Sequence, residues 1–181
     1  MKEIKKEIKK DIKNEMEILF DAVSRNESFA RVAVAAFVTH LNPTLEELAD
    51  VKTAVSEAVT NAIIHGYENV EGYVQAGMED EGARTGCGTF QVHPGKVRLH
   101  CLLEGDVLHI EVEDKGKGIA DIERAMEPLF TTRPELDRSG MGFAFMEAFM
   151  DDLEVESAVG KGTTVHMMKK IGSSAWIDCE E

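Results

Sequence analysis

Apolar and polar residues fall into short periodic runs along the chain, and each change of period marks an element. Residues 1–13 stand apart: six lysines and three acids accompany Ile4, Ile8 and Ile12, which recur at the helical i, i+4 spacing. They read as a basic extension appended to the fold. From Glu15 the pattern is strict alternation, with Met16, Ile18, Phe20 and Ala22 set against Glu15, Glu17 and Asp21, the period of a half-buried strand. Asn26 is expected to cap a helix whose buried stripe holds Phe29, Val32, Ala33, Ala36 and Phe37, with Asn42-Pro43 ending it. Thr44 followed by Glu47 makes a capping box for a longer helix. Its apolar face is Leu48, Val51, Val55, Val59, Ala62 and Ile63, and Gly66 is its stop.

Periodicity lapses between Glu71 and Gly95, so residues 70–95 read as an inserted surface loop. It resumes in Lys96–Leu103 and Val107–Glu113, joined as a hairpin at Glu104-Gly105-Asp106. A glycine-punctuated stretch runs from Asp114 to Gly142, followed by an apolar helix around Phe143–Met150 and strands at Leu153–Ser157 and Thr163–Lys169. Strand, two helices, hairpin, loop, helix and hairpin predict an α+β domain over residues 14–172, with a tail at 173–181. In it, helices cover one face of a mainly antiparallel, mixed sheet.

Composition narrows the function classes. At 181 residues and 43% hydrophobic, the chain suits one globular domain. A formal charge of −14 sets phosphate repulsion against direct nucleic-acid binding and favours a basic protein partner. No apolar run approaches the ~18–20 residues of a membrane span, and no apolar stretch with a cleavage site marks a secretory signal. Cys87, Cys101 and Cys179 are odd in number and fit no metal or disulfide spacing. The expected setting is the reducing cytoplasm, with no membrane.

Four clusters carry candidate chemistry. Glu57, Asn61 and His65 share one helix face among Ala54, Ala58 and Ala62, which leave room for a ligand. A mid-helix Asn one turn beyond a Glu suggests a Mg²⁺ ligand beside a base, since Mg²⁺ takes few protein oxygens and the rest from water and phosphates; His65 reads as a bystander. Asp114-Lys115-Gly116-Lys117-Gly118 follows a strand, where a carboxylate can accept a hydrogen bond from the exocyclic amine of adenine. Ser139-Gly140-Met141-Gly142 precedes a helix whose N–H groups could cradle a polyphosphate, with Arg138 as a clamp and residues 128–138 as a lid. Gly160-Lys161-Gly162-Thr163-Thr164 enters a strand, where a threonine hydroxyl could join Asp114 at the base through water. Singly, each also reads as a solvated flank or an ordinary turn.

In this order the four clusters match the ATP-site layout of the GHKL superfamily, and no P-loop pattern is present. The stretches NEM at 14–16, NESFARVAVAAFV at 26–38, SEAVTNAIIHGY at 56–67, PLFTTRPELDRSGMGF at 128–143 and KGTTV at 161–165 resemble the SpoIIAB family of anti-sigma-F serine kinases. The resemblance covers about residues 14–170 outside the long loop. It implies a Bergerat ATP-binding sandwich, a homodimer, inhibition of a sigma factor, and phosphorylation of a serine on an anti-anti-sigma partner using Mg-ATP, with ATP and ADP as ligands. It further implies Glu57 as catalytic base, Asn61 as Mg²⁺ ligand, and Asp114 and Thr163 at adenine. Gly116, Gly118, Ser139, Gly140, Met141 and Gly142 would shape the nucleotide pocket, Arg138 would lie near the γ-phosphate, and Arg31 would contact protein partners. The extra leader and the long insertion depart from the family. Alternatives are a switch kinase for a stress-type sigma factor and a non-catalytic, ATP-dependent sigma-binding module.

Overall fold

A computed structural model describes residues 13–67, 95–127 and 140–172. The leader 1–12, most of the insertion and the tail lie outside the described residues. In chain order the elements are β1 (Lys13–Asp21), α1 (Arg25–Val38) with a 3₁₀ turn (Thr39–Leu41), and α2 (Leu45–Asn61) extended by a π turn (Ala62–Gly66). They continue with β2 (Lys96–Glu104), β3 (Val107–Asp114), α3 (Ile122–Met126), α4 (Gly142–Phe149), β4 (Asp152–Ala158) and β5 (Gly162–Lys170). The sheet order is β1-β2-β3-β5-β4. The expected mainly antiparallel sheet is antiparallel at every described pairing.

Strand alternation sorts the side chains onto two faces. The inner face buries Val97, Leu99, Cys101 and Leu103 from β2, and Leu108, Ile110 and Val112 from β3. Against it pack Val34 and Val38 of α1, Val51, Val55 and Val59 of α2, and Met146 of α4. Burial also lifts the Cys101 thiol to about 12, so it sits in the core as a protonated hydrophobe. The outer face is polar, and one row of it runs in register across all five strands: Glu17, His100, Glu111, His166 and Glu154. Arg98 binds Glu17 at 3.0 Å, Glu113 at 2.7 Å and also Glu111, so one guanidinium joins β1, β2 and β3.

The capping box is present as read. Thr44 Oγ1 accepts from the Glu47 amide at 3.1 Å, and Glu47 Oε2 accepts from the Thr44 amide at 2.7 Å. The other Glu47 oxygen accepts from the Gly172 amide at 2.9 Å, which explains how a carboxylate is buried there. Ile171, just after β5, is buried and donates its amide to Asp106 at 2.8 Å.

Three local expectations are corrected. Ser24, not Asn26, occupies the N-cap of α1; Asn26 lies inside the first turn, and its Nδ2 donates to the Asp21 carbonyl at 2.8 Å. The buried stripe of α1 is Ala30, Val34 and Val38, while Phe29 and Val32 are 52% and 62% exposed. Apolar residues flank α1 on two sides, and packing on α2 selects the narrower one. The short helix α3, capped by Asp121 Oδ1 on the Arg124 amide at 3.0 Å, stands in what reads as irregular chain.

Candidate functional site

Between the inner face of β3 and β5 and the helices α2, α3 and α4 lies a cavity of about 590 Å³. Val112 and Val165 form an apolar wall, and Asp114 stands at its end as the last residue of β3. Asp114 is 4% exposed. Desolvation lifts its carboxyl to about 6, partly opposed by backbone hydrogen bonds from Gly116, at 2.9 Å, and Thr163. A carboxylate held this way is an oriented hydrogen-bond acceptor facing a largely apolar slot.

The floor beside Asp114 is built from glycines. The Gly66 carbonyl accepts from the Lys117 amide at 2.6 Å, and a Cβ on Gly116 would meet that oxygen at 1.9 Å. Gly66 reaches this position through the π turn, a rare geometry that rotates the end of α2 toward the cavity. The next residue, Tyr67, fixes the turn: its hydroxyl donates to the Lys96 carbonyl and accepts from the amides of Lys96 and Lys115, each at 3.1 Å.

The opposite end of the cavity holds the acid and the amide of α2. A Cβ on Gly142 would lie 3.0 Å from Glu57 Oε2 and 3.4 Å from Asn61 Nδ2, so the start of α4 runs close against both side chains. Met141, the N-cap residue of α4, makes no side-chain cap of its own, and the first turn of the helix points its N–H groups toward this end of the cavity. Across the cavity, the Thr163 hydroxyl pairs with Ser157 Oγ at 2.9 Å. Ser157 Oγ also accepts from the Ile119 amide at 2.8 Å, so it ties the threonine to the loop after Gly118. Among the described residues no group of three or more His, Cys, Asp or Glu side chains could hold a metal ion. One carboxylate and one amide oxygen at Glu57 and Asn61 suit a hard cation that completes its shell with phosphate and water.

The cavity therefore gathers Glu57, Asn61, Asp114, Gly118, Gly140, Met141, Gly142 and Thr163 from the sequence-based set. Gly116 shapes its floor from behind. His65, read as a bystander, lines the wall. Arg31 lies elsewhere, on α1, 3.5 Å from Glu27. Arg138 and Ser139 fall outside the described residues. The sequence reading missed Ser157, Asp121 and Arg124. Ser157 follows from the register that sets it opposite Thr163; Asp121 and Arg124 follow from the cap of α3.

A slot with an acceptor at one end and a helix N-terminus at the other defines a nucleotide-binding ATPase domain of the GHKL type, and the family profile "Histidine kinase-like ATPase domain" matches residues 21–169. The anti-sigma F factor of Geobacillus kaustophilus is 52% identical over 161 residues, covering 89% of this chain and 95% of that protein. That of Thermoanaerobacter sp. (strain X514) is 53% identical over 160 residues, covering 88% and 96%. The chain belongs to the anti-sigma F factor family within the histidine kinase-like ATPase domains. Its fold also matches the crystal structure of the RsbU and RsbW domains of Rv1364c from Mycobacterium tuberculosis, with a TM-score of 0.54 and 19% identity. That match covers 87% of this chain and 32% of the mycobacterial one.

Proposed function

We propose that this protein is a cytoplasmic, homodimeric anti-sigma factor and protein serine kinase, which holds a sigma-F-type factor inactive and phosphorylates a serine of an anti-anti-sigma partner using Mg-ATP. The observation that carries the kinase reading is the close passage of Gly142 beside Glu57 and Asn61. It sets a carboxylate and an amide oxygen against the helix end that would hold the phosphates. Adenine would lie against the wall of Val112 and Val165 with its exocyclic amine donating to Asp114, and Thr163 would support it from β5. Glu57 orients the acceptor hydroxyl and takes its proton as the serine oxygen bonds to the γ-phosphorus and the bond to the β-phosphate oxygen breaks. Asn61 would hold Mg²⁺, which would supply charge neutralisation on the phosphates. Arg138 and Ser139 lie outside the described residues and are assigned to the phosphates by the family resemblance alone; ADP would remain as product. Family membership supports the partners, and the exposed Phe29 and Val32 beside half-buried Arg31 on α1 offer a surface for them and for a second subunit.

The test is phosphate transfer from labelled Mg-ATP to a serine-bearing anti-anti-sigma protein, with wild type beside Glu57→Gln. Label on the partner that falls by ~10²–10⁴-fold in the variant, with nucleotide still bound, supports the reading. No transfer by the wild type, with sigma-F still bound in an ATP-dependent way, would leave a non-catalytic module. Tight binding of a stress-type sigma factor in place of sigma-F would redirect the partner assignment.

A further inference from the structure

Three hydrogen bonds meet at one hydroxyl beside the nucleotide cavity, and together they fix where its neighbour's proton points. Ser157 shares the inner face of β4 with Leu153 and Val155. Its Oγ lies 2.9 Å from the Gly162 carbonyl, 2.8 Å from the Ile119 amide and 2.9 Å from Thr163 Oγ1. A serine hydroxyl has one proton to give and two lone pairs to accept with. The Ile119 amide brings its own proton and takes up one lone pair. The Gly162 carbonyl brings none, so that bond uses the proton of Ser157. A single lone pair remains at Oγ, and the contact with Thr163 forms only if Thr163 donates. Were Ser157 to donate to Thr163 instead, its oxygen would face the Gly162 oxygen at 2.9 Å with no proton between them.

The two backbone groups that hold Ser157 are themselves held. The Gly160 amide donates to the Lys117 carbonyl at 2.7 Å. A Cβ on Gly118 would run into the Ala158 carbonyl, and one on Gly162 into the Asp114 carbonyl. The loop after β3 and the β4–β5 hairpin therefore abut backbone to backbone, and neither can turn away to release the serine proton. Thr163 lines the cavity beside Asp114, its partner in register. With its proton turned back to Ser157, the threonine hydroxyl offers the cavity lone pairs only. An ionised Asp114 also offers lone pairs only. This end of the slot is thus a pair of acceptors, which an amine on the base satisfies and a carbonyl does not.

We propose that Ser157 is a positioning residue for base selection: by taking the proton of Thr163 it holds that hydroxyl as an acceptor beside Asp114, so that the site selects purines with an amine at position 6 over those with a carbonyl there. The proposal rests on the nucleotide reading above, with the base at Asp114 and Thr163, and adds the residue that sets the polarity of Thr163 from behind.

The test is calorimetric binding of ADP and of inosine diphosphate, which carries a carbonyl where adenine carries the amine. The full chain is used at about pH 7.5, where Asp114 is ionised. Wild type should bind ADP about tenfold or more tightly than inosine diphosphate. Thr163→Val removes the hydroxyl and leaves Ser157 in place; it should weaken ADP by about threefold or more and leave inosine diphosphate nearly unchanged. Ser157→Ala frees the Thr163 proton to turn toward a 6-carbonyl, so the preference for ADP should fall by about threefold or more. In Ser157→Ala/Thr163→Val the preference should equal that of Thr163→Val alone, since Ser157 acts through the threonine. Valine suits a strand, so Thr163→Val carries the polarity test even where Ser157→Ala is too unstable to titrate.

Inosine diphosphate weakened as much as ADP by Thr163→Val would show the hydroxyl donating into the cavity and would overturn the proposal. So would a preference that Ser157→Ala leaves intact, or one that it lowers equally with valine at position 163. Equal binding of the two nucleotides by wild type also overturns it and leaves the nucleotide reading standing. Failure of wild type to bind ADP at all removes that reading, and this proposal with it.

Discussion

The carbonyl oxygen of Gly66 occupies the space a side chain on Gly116 would need, and it accepts the amide of Lys117 at 2.6 Å. The end of α2 and the turn after β3 are thereby locked backbone to backbone beneath Asp114. Neither segment can shift without the other.

Gly116→Ala should therefore be costly, because backbone cannot yield as a flexible side chain can. Overpacking of this kind costs about 1–3 kcal/mol, which lowers the melting temperature by several degrees in a chain of this size. Gly160→Ala is the control: a Cβ there meets nothing within 4 Å, and only its φ of +75° opposes the change. Thermal unfolding of both variants checks the contrast. Equal melting temperatures would contradict it.

Asp114 gives a pH signature. Burial lifts its carboxyl to about 6, above the ordinary value near 4, so the folded chain binds the proton more tightly than the unfolded chain does. Ionisation in the fold thus opposes stability above pH 6, by on the order of 3 kcal/mol, and the penalty fades as pH falls toward 4. Asp114→Asn should be more stable than wild type at pH 7–8 and lose that advantage near pH 4. Nucleotide binding should move the other way. Wild-type affinity for ADP falls as pH drops through about 6, while the variant binds about 10–100-fold more weakly at pH 8 and lacks the Asp114 step. Calorimetric titration of both proteins isolates that step, since the ADP phosphates titrate alike in each.

Gly142→Ala inserts a methyl carbon 3.0 Å from Glu57 Oε2 and 3.4 Å from Asn61 Nδ2. Both side chains can give slightly, so the fold should persist with a loss of at most about 1 kcal/mol. The start of α4 should nonetheless be displaced from them, and phosphate transfer should fall by about tenfold or more while unfolding changes little. Single-turnover transfer rates measured beside melting curves separate the two effects.

Lys169 is nearly buried, with Nζ 2.6 Å from the Phe149 carbonyl and 3.1 Å from Asp50 Oδ2. It ties the last turn of α4 to α2. Removing it strands both acceptors, and Lys169→Met should cost about 2–4 kcal/mol. Asp50→Asn keeps a polar partner and should cost less. Urea unfolding of the two variants tests that order.

Much of this arrangement is legible from local pattern. The capping box at Thr44 and the β2–β3 hairpin depend on neighbours in sequence, and the structure shows each where the local pattern places it. What escapes depends on distant neighbours. Phe29 is larger and more apolar than Ala30, yet Ala30 is buried, because the face of α1 that turns inward is chosen by α2. The π turn adds one residue to a turn of α2 without any glycine or proline inside it before Gly66, so nothing local announces it. Ser157 becomes part of the site only once β4 lies against β5.

The tie between Glu47 and Gly172 bears on where the chain can be trimmed. Cutting after Lys170 would leave β5 whole by register, yet it would remove a fully packed isoleucine and the Gly172 amide that donates to the cap of α2. The smallest fragment that closes the core thus runs two residues past its last strand, to Gly172.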